Sequence, residues 1–256
     1  MTRVRVAIGD RVGRITLARP EKRNALDLEM ARALREALVR CEQDPEVRVV
    51  LLDAEGRDFC AGADLAALEA MLGAGAPAHR RDAEALGAVF ATMRALTRPV
   101  VAAVRGRALA GGAGLATACD IVVAAEDATF GYPEVRVGFV PAMVMTMLRR
   151  AVGEKRAFEL VATGRLVDAR EALALGLVSR VLPAAEFEAG VAEIVAGLAA
   201  SPPGALRLTK RLFYALDGVP FVEGIGLGAD TNVDARATEE FRAGLRRFLE
   251  RDRRSR

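Results

Sequence analysis

The chain has 256 residues, of which 52% are hydrophobic, and its 37 basic and 34 acidic side chains leave a formal net charge of +3. This composition supports a full core and excludes a disordered chain, and no run reaches the ~18 apolar residues that a membrane span needs. Three widely spaced cysteines and a single histidine, His79, exclude a disulfide framework, a zinc or histidine metal site and a Ser-His-Asp triad.

The first half of the chain alternates between strand and helix patterns. Asp27 begins an amphipathic helix that continues to about Gln43, and a second helix is predicted over 83–96. The first 17 residues alternate like a strand and lack the apolar core of a signal peptide, which predicts a cytoplasmic protein. Strands are predicted at residues 4–8, 14–17, 48–52, 100–104 and 121–125.

Two segments rich in glycine and proline interrupt the strand and helix patterns. His79 lies in the Gly/Pro-rich sequence GAGAPAHRR, which predicts a loop between two helices. The sequence SPPG at residue 201 precedes helical patterns over 205–216, 222–230 and 234–251. We therefore predict a core formed by residues 1–200 and a C-terminal helical region formed by residues 201–256.

Two bends of small residues follow predicted strands, CAGAD at residues 60–64 and ALAGGAGLA at residues 108–116. One such bend is often close packing of a helix on a sheet. Two of them, each at the start of a helix, place bare N–H donors where the helix dipole favours negative charge. We expect these donors to converge on one carbonyl oxygen and to stabilise an enolate or oxyanion. The glycines fit neither GxGxxG nor a P-loop, so dinucleotide and P-loop sites are excluded.

A third feature is Glu134, in the segment TFGYPEVRVGFVP. A carboxylate among apolar residues has its pKa raised toward the range of general acid–base catalysis. The alternative is a surface glutamate paired with Arg136 or Arg149. Nucleic acid is an unfavoured partner, because the basic C-terminus lacks interleaved aromatic residues.

Six motifs in order give the chain a resemblance to a known family: RPEKRNAL, FCAGADL, ALAGGAGLATACD, FGYPEVRVGFVP, GRLVDAREALALGLVSRV and FRAGLRRFLERDR. They resemble the crotonase, or enoyl-CoA hydratase/isomerase, superfamily over nearly the whole chain. The resemblance implies an α/β fold, a spiral of ββα units, with a C-terminal helical region that forms a trimer or a dimer of trimers. It also implies a coenzyme A thioester as substrate, with no separate cofactor. No membrane partner is expected, because the chain lacks an apolar run of spanning length.

The resemblance assigns roles to individual residues. The N–H groups of Ala63 and Gly111 would form the oxyanion hole, and Glu134 would be the acid–base group. The remaining substrate-binding positions it implies are Lys22, Arg23, Ala25, Ala61, Asp64, Leu65, Gly114 and, from an adjacent subunit, Phe248 and Arg251.

The sequence departs from the two-glutamate hydratases at one position. Their first glutamate stands six residues before the aspartate of CD, and Gly114 occupies that place here. Glu134 alone would then act, or water would fill the space at Gly114. We predict an enoyl-CoA hydratase, with an enoyl-CoA isomerase that moves a 3-enoyl double bond as the alternative. A non-catalytic acyl-CoA- or RNA-binding homologue is a third reading.

Overall fold

The computed structural model describes residues 2–254. Within that range two 3-10 helices, Pro20–Lys22 and Pro133–Val137, accompany the strands and α-helices. The strands are β1 (Val4–Gly9), β2 (Val12–Leu17), β3 (Val49–Ala54), β4 (Val100–Val104), β5 (Arg107–Leu109), β6 (Ile121–Ala125), β7 (Thr129–Gly131), β8 (Leu166–Asp168) and β9 (Arg180–Leu182). The helices are α1 (Leu28–Gln43), α2 (Leu65–Ala70), α3 (Ala76–Ala95), α4 (Gly111–Ala118), α5 (Val144–Val152), α6 (Glu154–Thr163), α7 (Ala169–Leu175), α8 (Phe187–Ala200), α9 (Pro203–Ala215), α10 (Phe221–Ala237) and α11 (Glu239–Arg254).

The main sheet has six strands in the order β1-β2-β3-β4-β6-β9. β1 and β2 form an antiparallel hairpin, and every later pairing in the sheet is parallel. β3 and β4 are almost continuously apolar, VVLLDA and VVAAV, because both faces of these central strands are covered. Helices α1 and α3 pack on one side, and α8 packs on the other through Phe187, Val191 and Val195.

A second, smaller sheet with the order β5-β7-β8 lies beside the first. A parallel bridge between Cys60 and Ala108 adds the residues after β3 to its edge. Each turn of the chain thus contributes a strand to the main sheet, a short extended piece to the second layer, and then a helix. This arrangement confirms the predicted spiral α/β fold.

The start of α1 follows from one side chain. Asp27 is the N-cap residue, and its Oδ1 accepts a hydrogen bond from the Met30 N–H at 2.8 Å, as the sequence predicts. The loop predicted around His79 is wrong, because α3 already begins at Ala76 and includes His79. Pro77 stands in the first turn of α3, where the missing N–H of proline costs no helical hydrogen bond.

A buried ammonium group helps to hold the C-terminal helices on the core. Lys210 of α9 contacts Asp120 Oδ2 at 2.7 Å and also donates to the carbonyls of Met93 and Arg98. The Tyr214 hydroxyl donates to Asp120 Oδ1 at 2.6 Å. The end of α3, the second residue after α4 and helix α9 therefore meet at a single polar cluster. The two helices predicted over 222–230 and 234–251 have different boundaries, those of α10 and α11, and the division at residue 200 stays a prediction.

No single helix between residues 2 and 254 is long and apolar enough to cross a membrane. Helices α8 and α9 meet that requirement only when they are taken together, by length and composition, and their axes are bent by 100° at the break. All three cysteines are buried thiols.

Candidate active site

In the first bend, the residues on both sides of Ala63 form hydrogen bonds with Leu26. The Leu26 N–H donates to the Gly62 carbonyl at 2.7 Å, and the Asp64 N–H donates to the Leu26 carbonyl at 2.8 Å. In a parallel bridge of this kind, the residue between those two groups has its own N–H on the opposite side. The Ala63 N–H therefore faces away from Leu26, and Ala63 itself is exposed.

The second bend presents the free N–H groups of a helix start. The first hydrogen bond of α4 joins the Gly114 N–H to the Ala110 carbonyl at 2.9 Å, so the N–H of Gly111 has no partner within the helix. Ala110 has a φ of 51° and a ψ of −124°, a conformation that costs a non-glycine residue about 1–3 kcal/mol. The Ala110 N–H donates to the Gly131 carbonyl, which helps to hold this turn.

The two bends lie against each other. Gly62 has a φ of +94°, and a Cβ placed on it would lie 2.8 Å from Ala110 Cβ and 3.6 Å from Gly111 N. A Cβ on Gly112 would lie 2.3 Å from the Cys60 carbonyl oxygen, so close packing accounts for that glycine. The structure thus brings the peptides of Ala63 and Gly111 to one place, as two convergent bends require.

Glu134 lies on the 3-10 helix that follows this turn. Its Oε2 is buried and has no hydrogen-bond partner. Burial raises the pKa of Glu134 above its ordinary value, and only a hydrogen bond from its own backbone opposes the shift. No ion pair joins Glu134 to Arg136 or to Arg149, and Arg149 pairs with Glu154, so the alternative of a surface ion pair is wrong.

Two hydroxyl groups connect the segment of Glu134 to α4. The Tyr132 hydroxyl and Thr117 Oγ1 are 2.7 Å apart, and Thr117 donates to the Ala113 carbonyl at 2.7 Å. Tyr132 is completely buried. This chain fixes the residue two places before Glu134 against the helix that begins at Gly111.

The position of the absent carboxylate is filled by hydrocarbon. A Cβ placed on Gly114 would lie 2.2 Å from Val144 Cγ1 and 3.2 Å from Phe90 Cζ. Gly114 is buried between α3 and α5. Val144 therefore occupies the position that the first side-chain carbon of a glutamate would take at residue 114.

The predicted substrate-binding residues of the first motif flank the Ala63 bend. Lys22 and Arg23 are exposed, whereas Ala25 is buried. The Ala61 N–H donates to the Arg23 carbonyl at 3.0 Å, which joins this motif to the bend. Leu65, the first residue of α2, is 74% exposed.

Asp64 is the N-cap residue of α2. Its Oδ1 accepts from the N–H groups of Ala66 and Ala67, and its Oδ2 contacts Arg19 Nη1 at 2.7 Å. Burial opposes ionisation, but these hydrogen bonds and the Arg19 charge together hold the pKa of Asp64 below its ordinary value. Asp64 therefore caps α2 and fixes the peptide of the residue before it.

Phe248 and Arg251 lie on α11, which packs against α9 and α10, and both side chains are exposed. Their predicted contact with a substrate in an adjacent subunit stays a prediction.

Sequence reasoning missed three contributors to the site. Asn24 is fully buried with a φ of 55°, and its side chain donates to the Glu55 and Asp58 carbonyls. Asparagine adopts this left-handed conformation more readily than most residues, so its presence in the first motif was a usable sign of a turn at this position. The Tyr132–Thr117 contact and the Val144 side chain at Gly114 have no local signal, because each joins distant elements.

Comparisons with known proteins identify the family of the chain. Residues 7–255 match the enoyl-CoA hydratase/isomerase family. A Thermus thermophilus protein whose name includes enoyl-CoA hydratase is 47% identical over 232 residues, 91% of this chain and 92% of that protein. A crystal structure of enoyl-CoA hydratase from Mycobacterium smegmatis has a TM-score of 0.94 at 31% identity and covers 98% of this chain and 97% of that one. The human enoyl coenzyme A hydratase domain-containing protein 3 has a TM-score of 0.93 at 30% identity, with 97% of this chain and 98% of that one covered. The chain belongs to the enoyl-CoA hydratase/isomerase family, with the crotonase fold.

Proposed function

We propose that this protein is an enoyl-CoA hydratase in which Glu134 is the only acid–base side chain. The thioester oxygen accepts hydrogen bonds from the Ala63 and Gly111 N–H groups, which stabilise the enolate that forms at that oxygen. The Glu134 carboxylate takes a proton from water as the water oxygen bonds to C3. The same carboxyl group then delivers a proton to C2, so the elements of water are added and Glu134 returns to its ionised form.

The observation that carries this proposal is the buried, unpartnered Oε2 of Glu134 on a segment fixed to the start of α4. An unsatisfied carboxylate oxygen is costly, and it persists in native proteins mainly where a functional partner is expected. Relatives named as enoyl-CoA hydratases support the same reaction.

One observation favours isomerisation as a second candidate. Val144 and Phe90 occupy the space of a Cβ at Gly114, so a second carboxylate does not fit on that residue. A single carboxylate suffices to remove a proton from C2 of a 3-enoyl thioester and to return it to C4. The oxyanion hole would hold the dienolate between these two steps.

An absorbance assay separates these reactions. The conjugated 2-enoyl thioester chromophore is followed after the purified protein is mixed with crotonyl-CoA and, separately, with a 3-enoyl-CoA. We expect the absorbance to fall in the first experiment, because hydration removes the conjugated double bond. A rise with the 3-enoyl-CoA alone would support isomerisation instead. No change with either class, from four-carbon to dodecenoyl chains, would contradict both candidates.

We propose that the thioester carries coenzyme A. Lys22 and Arg23 are exposed beside the Ala63 bend, where their charges would meet the phosphates. Ala25 and Ala61 would border the adenine, and Phe248 and Arg251 would reach it from an adjacent subunit.

We also propose a homotrimer, alone or stacked as a dimer of trimers, that assembles through α9–α11. These helices expose large apolar side chains, among them Phe213 at 70%, Phe221 at 83% and Phe248 at 63%. An apolar surface built from such side chains is typical of a protein–protein interface. Size-exclusion chromatography with light scattering is expected to give a molar mass three or six times the 27.2 kDa mass of one chain. A monomer at micromolar concentration would contradict the assembly.

A further inference from the structure

A carboxylate oxygen outside the candidate active site is also buried without a partner. Between residues 2 and 254, two buried side-chain atoms have no hydrogen-bond partner, Oε2 of Glu134 and Oδ1 of Asp53. Asp53 lies on β3 and is 8% exposed. Both of its contacts with Arg14 go to the other oxygen, Oδ2, which lies 2.6 Å from Arg14 Nε. One oxygen of Asp53 therefore holds two donors, and the other holds none.

Asp53 lines a cavity of about 530 Å³ between α8 and the main sheet. Side chains alternate along a strand, so Asp53 shares the face of Leu51, which packs in one cluster with Phe187 and Val191 of α8. Helix α4, which begins at Gly111, packs in the cluster on the other face of the sheet. The main sheet therefore separates this cavity from the candidate active site.

The cavity is a groove with an apolar bed. Helix α8 lines it from Phe187 to Ala196, and nine residues at a rise of about 1.5 Å each span about 14 Å. Ala7 of β1 and Ala103 of β4 contribute only methyl groups to the floor. A Cβ placed on Gly9 would have no atom within 4 Å, so the groove is open on the side of β1. An apolar bed with a few polar groups is typical of a small-molecule site.

The chemistry of the missing donor follows from the charges in the groove. The carboxylates of Asp58 and Glu188 also line it, and each is held by an arginine, Asp58 by Arg107 and Glu188 by Arg105. The free oxygen of Asp53 is the remaining acceptor, and a cationic donor binds a carboxylate more strongly than a neutral donor does. A bare metal ion needs several oxygen ligands, which an apolar bed does not supply. The groove therefore suits an organic cation with an apolar body.

We propose that this groove binds a small aliphatic primary amine, whose ammonium group donates to Asp53 and whose alkyl part lies along α8. Oδ1 is covered, but the torsion that turns the carboxylate of aspartate is broad. A rotation about it turns the free oxygen toward the groove, and the exposed Arg14 follows the other oxygen. The inference is independent of the reaction at Glu134, because the two sites lie on opposite faces of the sheet.

The test is calorimetric titration of the full chain with hexylammonium chloride. 1-Hexanol and hexanoate are the comparison ligands, because they have the same chain length without the positive charge. The wild-type protein is expected to bind hexylammonium at least about tenfold more tightly than either, since the bond to a charged donor is the stronger one. Asp53→Asn is expected to remove this preference, because asparagine keeps the shape of the side chain and loses its charge.

A second variant fills the groove and leaves the carboxylate in place. Ala192 lines the groove and is exposed, so Ala192→Phe places a ring there without entering the core. It is expected to lower the affinity for hexylammonium by at least about tenfold, because the ring occupies the bed of the alkyl part. Ala200→Phe, at an exposed position of α8 outside the groove, is the matched control and is expected to change the affinity by less than about twofold.

Each outcome decides the proposal. Equal affinity for hexylammonium and hexanol in the wild-type protein would overturn it, and so would tight binding that survives in Ala192→Phe. Glu134→Gln tests whether the amine binds at the candidate active site instead, and it is expected to keep the wild-type affinity. Loss of binding in that variant, with binding retained in Asp53→Asn, would also overturn the proposal. Circular dichroism checks the fold, and should Asp53→Asn not fold, the two alanine variants decide.

Discussion

Replacing Glu134 with glutamine is expected to lower kcat by about 10²–10⁴-fold, the usual contribution of a general acid–base group. Glutamine keeps the shape of the side chain but neither accepts the proton of water nor delivers one to C2. Substrate binding is expected to change by less than about threefold, because the lost interaction acts in the transition state. The comparison is made from steady-state kinetics and the Kd of a saturated acyl-CoA.

The pH profile provides a second readout of the same variant. Glu134 must be ionised to accept a proton from water, and burial raises its pKa above the ordinary value of 4.5. The kcat/KM of the wild-type enzyme is therefore expected to fall as the pH is lowered through a value above 4.5. The residual activity of Glu134→Gln should lack this acidic limb.

Glu193→Gln is the matched control, because Glu193 is exposed on α8, on the other side of the main sheet. It is expected to leave kcat and the pH profile unchanged. Full activity in Glu134→Gln, or an acidic limb that persists in it, would show that another group transfers the proton.

Restoring the absent carboxylate by Gly114→Glu is expected to destabilise the protein by more than about 4 kcal/mol and to add no activity. The new Cβ would lie 2.2 Å from Val144 Cγ1, and the β-branched Val144 has few rotamers with which to move away. The carboxylate would also be buried among apolar groups, which disfavours its charge. Urea unfolding and the hydration assay measure the two effects.

Smaller substitutions isolate the steric part of this effect. Gly114→Ala is expected to cost about 1–3 kcal/mol from overpacking. Adding Val144→Ala should relieve the contact, so that the double variant is more stable than the sum of the single effects predicts. Gly197→Ala in α8 is the control, because no atom lies within 4 Å of its Cβ position. It should stabilise the chain by up to about 1 kcal/mol through helix propensity. A Gly114→Ala variant as stable as the wild type would contradict the close contact.

Local chemistry explains what the sequence predicts well. Asp27 caps α1 as expected, since the cap depends on a side chain three residues from its partner N–H. The two bends also follow from local composition, because small residues permit Gly62 and Gly112 to approach Ala110 and Cys60. The cap depends on residues that are neighbours in the sequence. The bends depend on small side chains, which leave the backbone accessible.

Long-range packing explains what the sequence does not predict. The start of α3 at Ala76 instead of residue 83 was missed because Gly-Ala-Pro is also typical of a loop. The choice between a surface ion pair and an unpaired Glu134 depended on Arg136 and Arg149; neither pairs with Glu134, and Arg149 pairs with Glu154. The Val144 side chain at Gly114 comes from thirty residues further along the chain. No residue near Gly114 in the sequence indicates that Val144 packs against it.

The Lys210 ammonium has a consequence for how the chain unfolds. If α9 detached, the Asp120 carboxylate would lose both Lys210 and Tyr214, and the carbonyls of Met93 and Arg98 would lose their shared donor. Removing one partner from a buried ion pair costs about 3–5 kcal/mol, so detachment is energetically coupled to disruption of the last turn of α3 and of the segments that follow α3 and α4. The same α4 begins at Gly111. Helix α9 and the helix that begins at Gly111 therefore belong to one cooperative unit, and detachment of α9 would also disturb the candidate site.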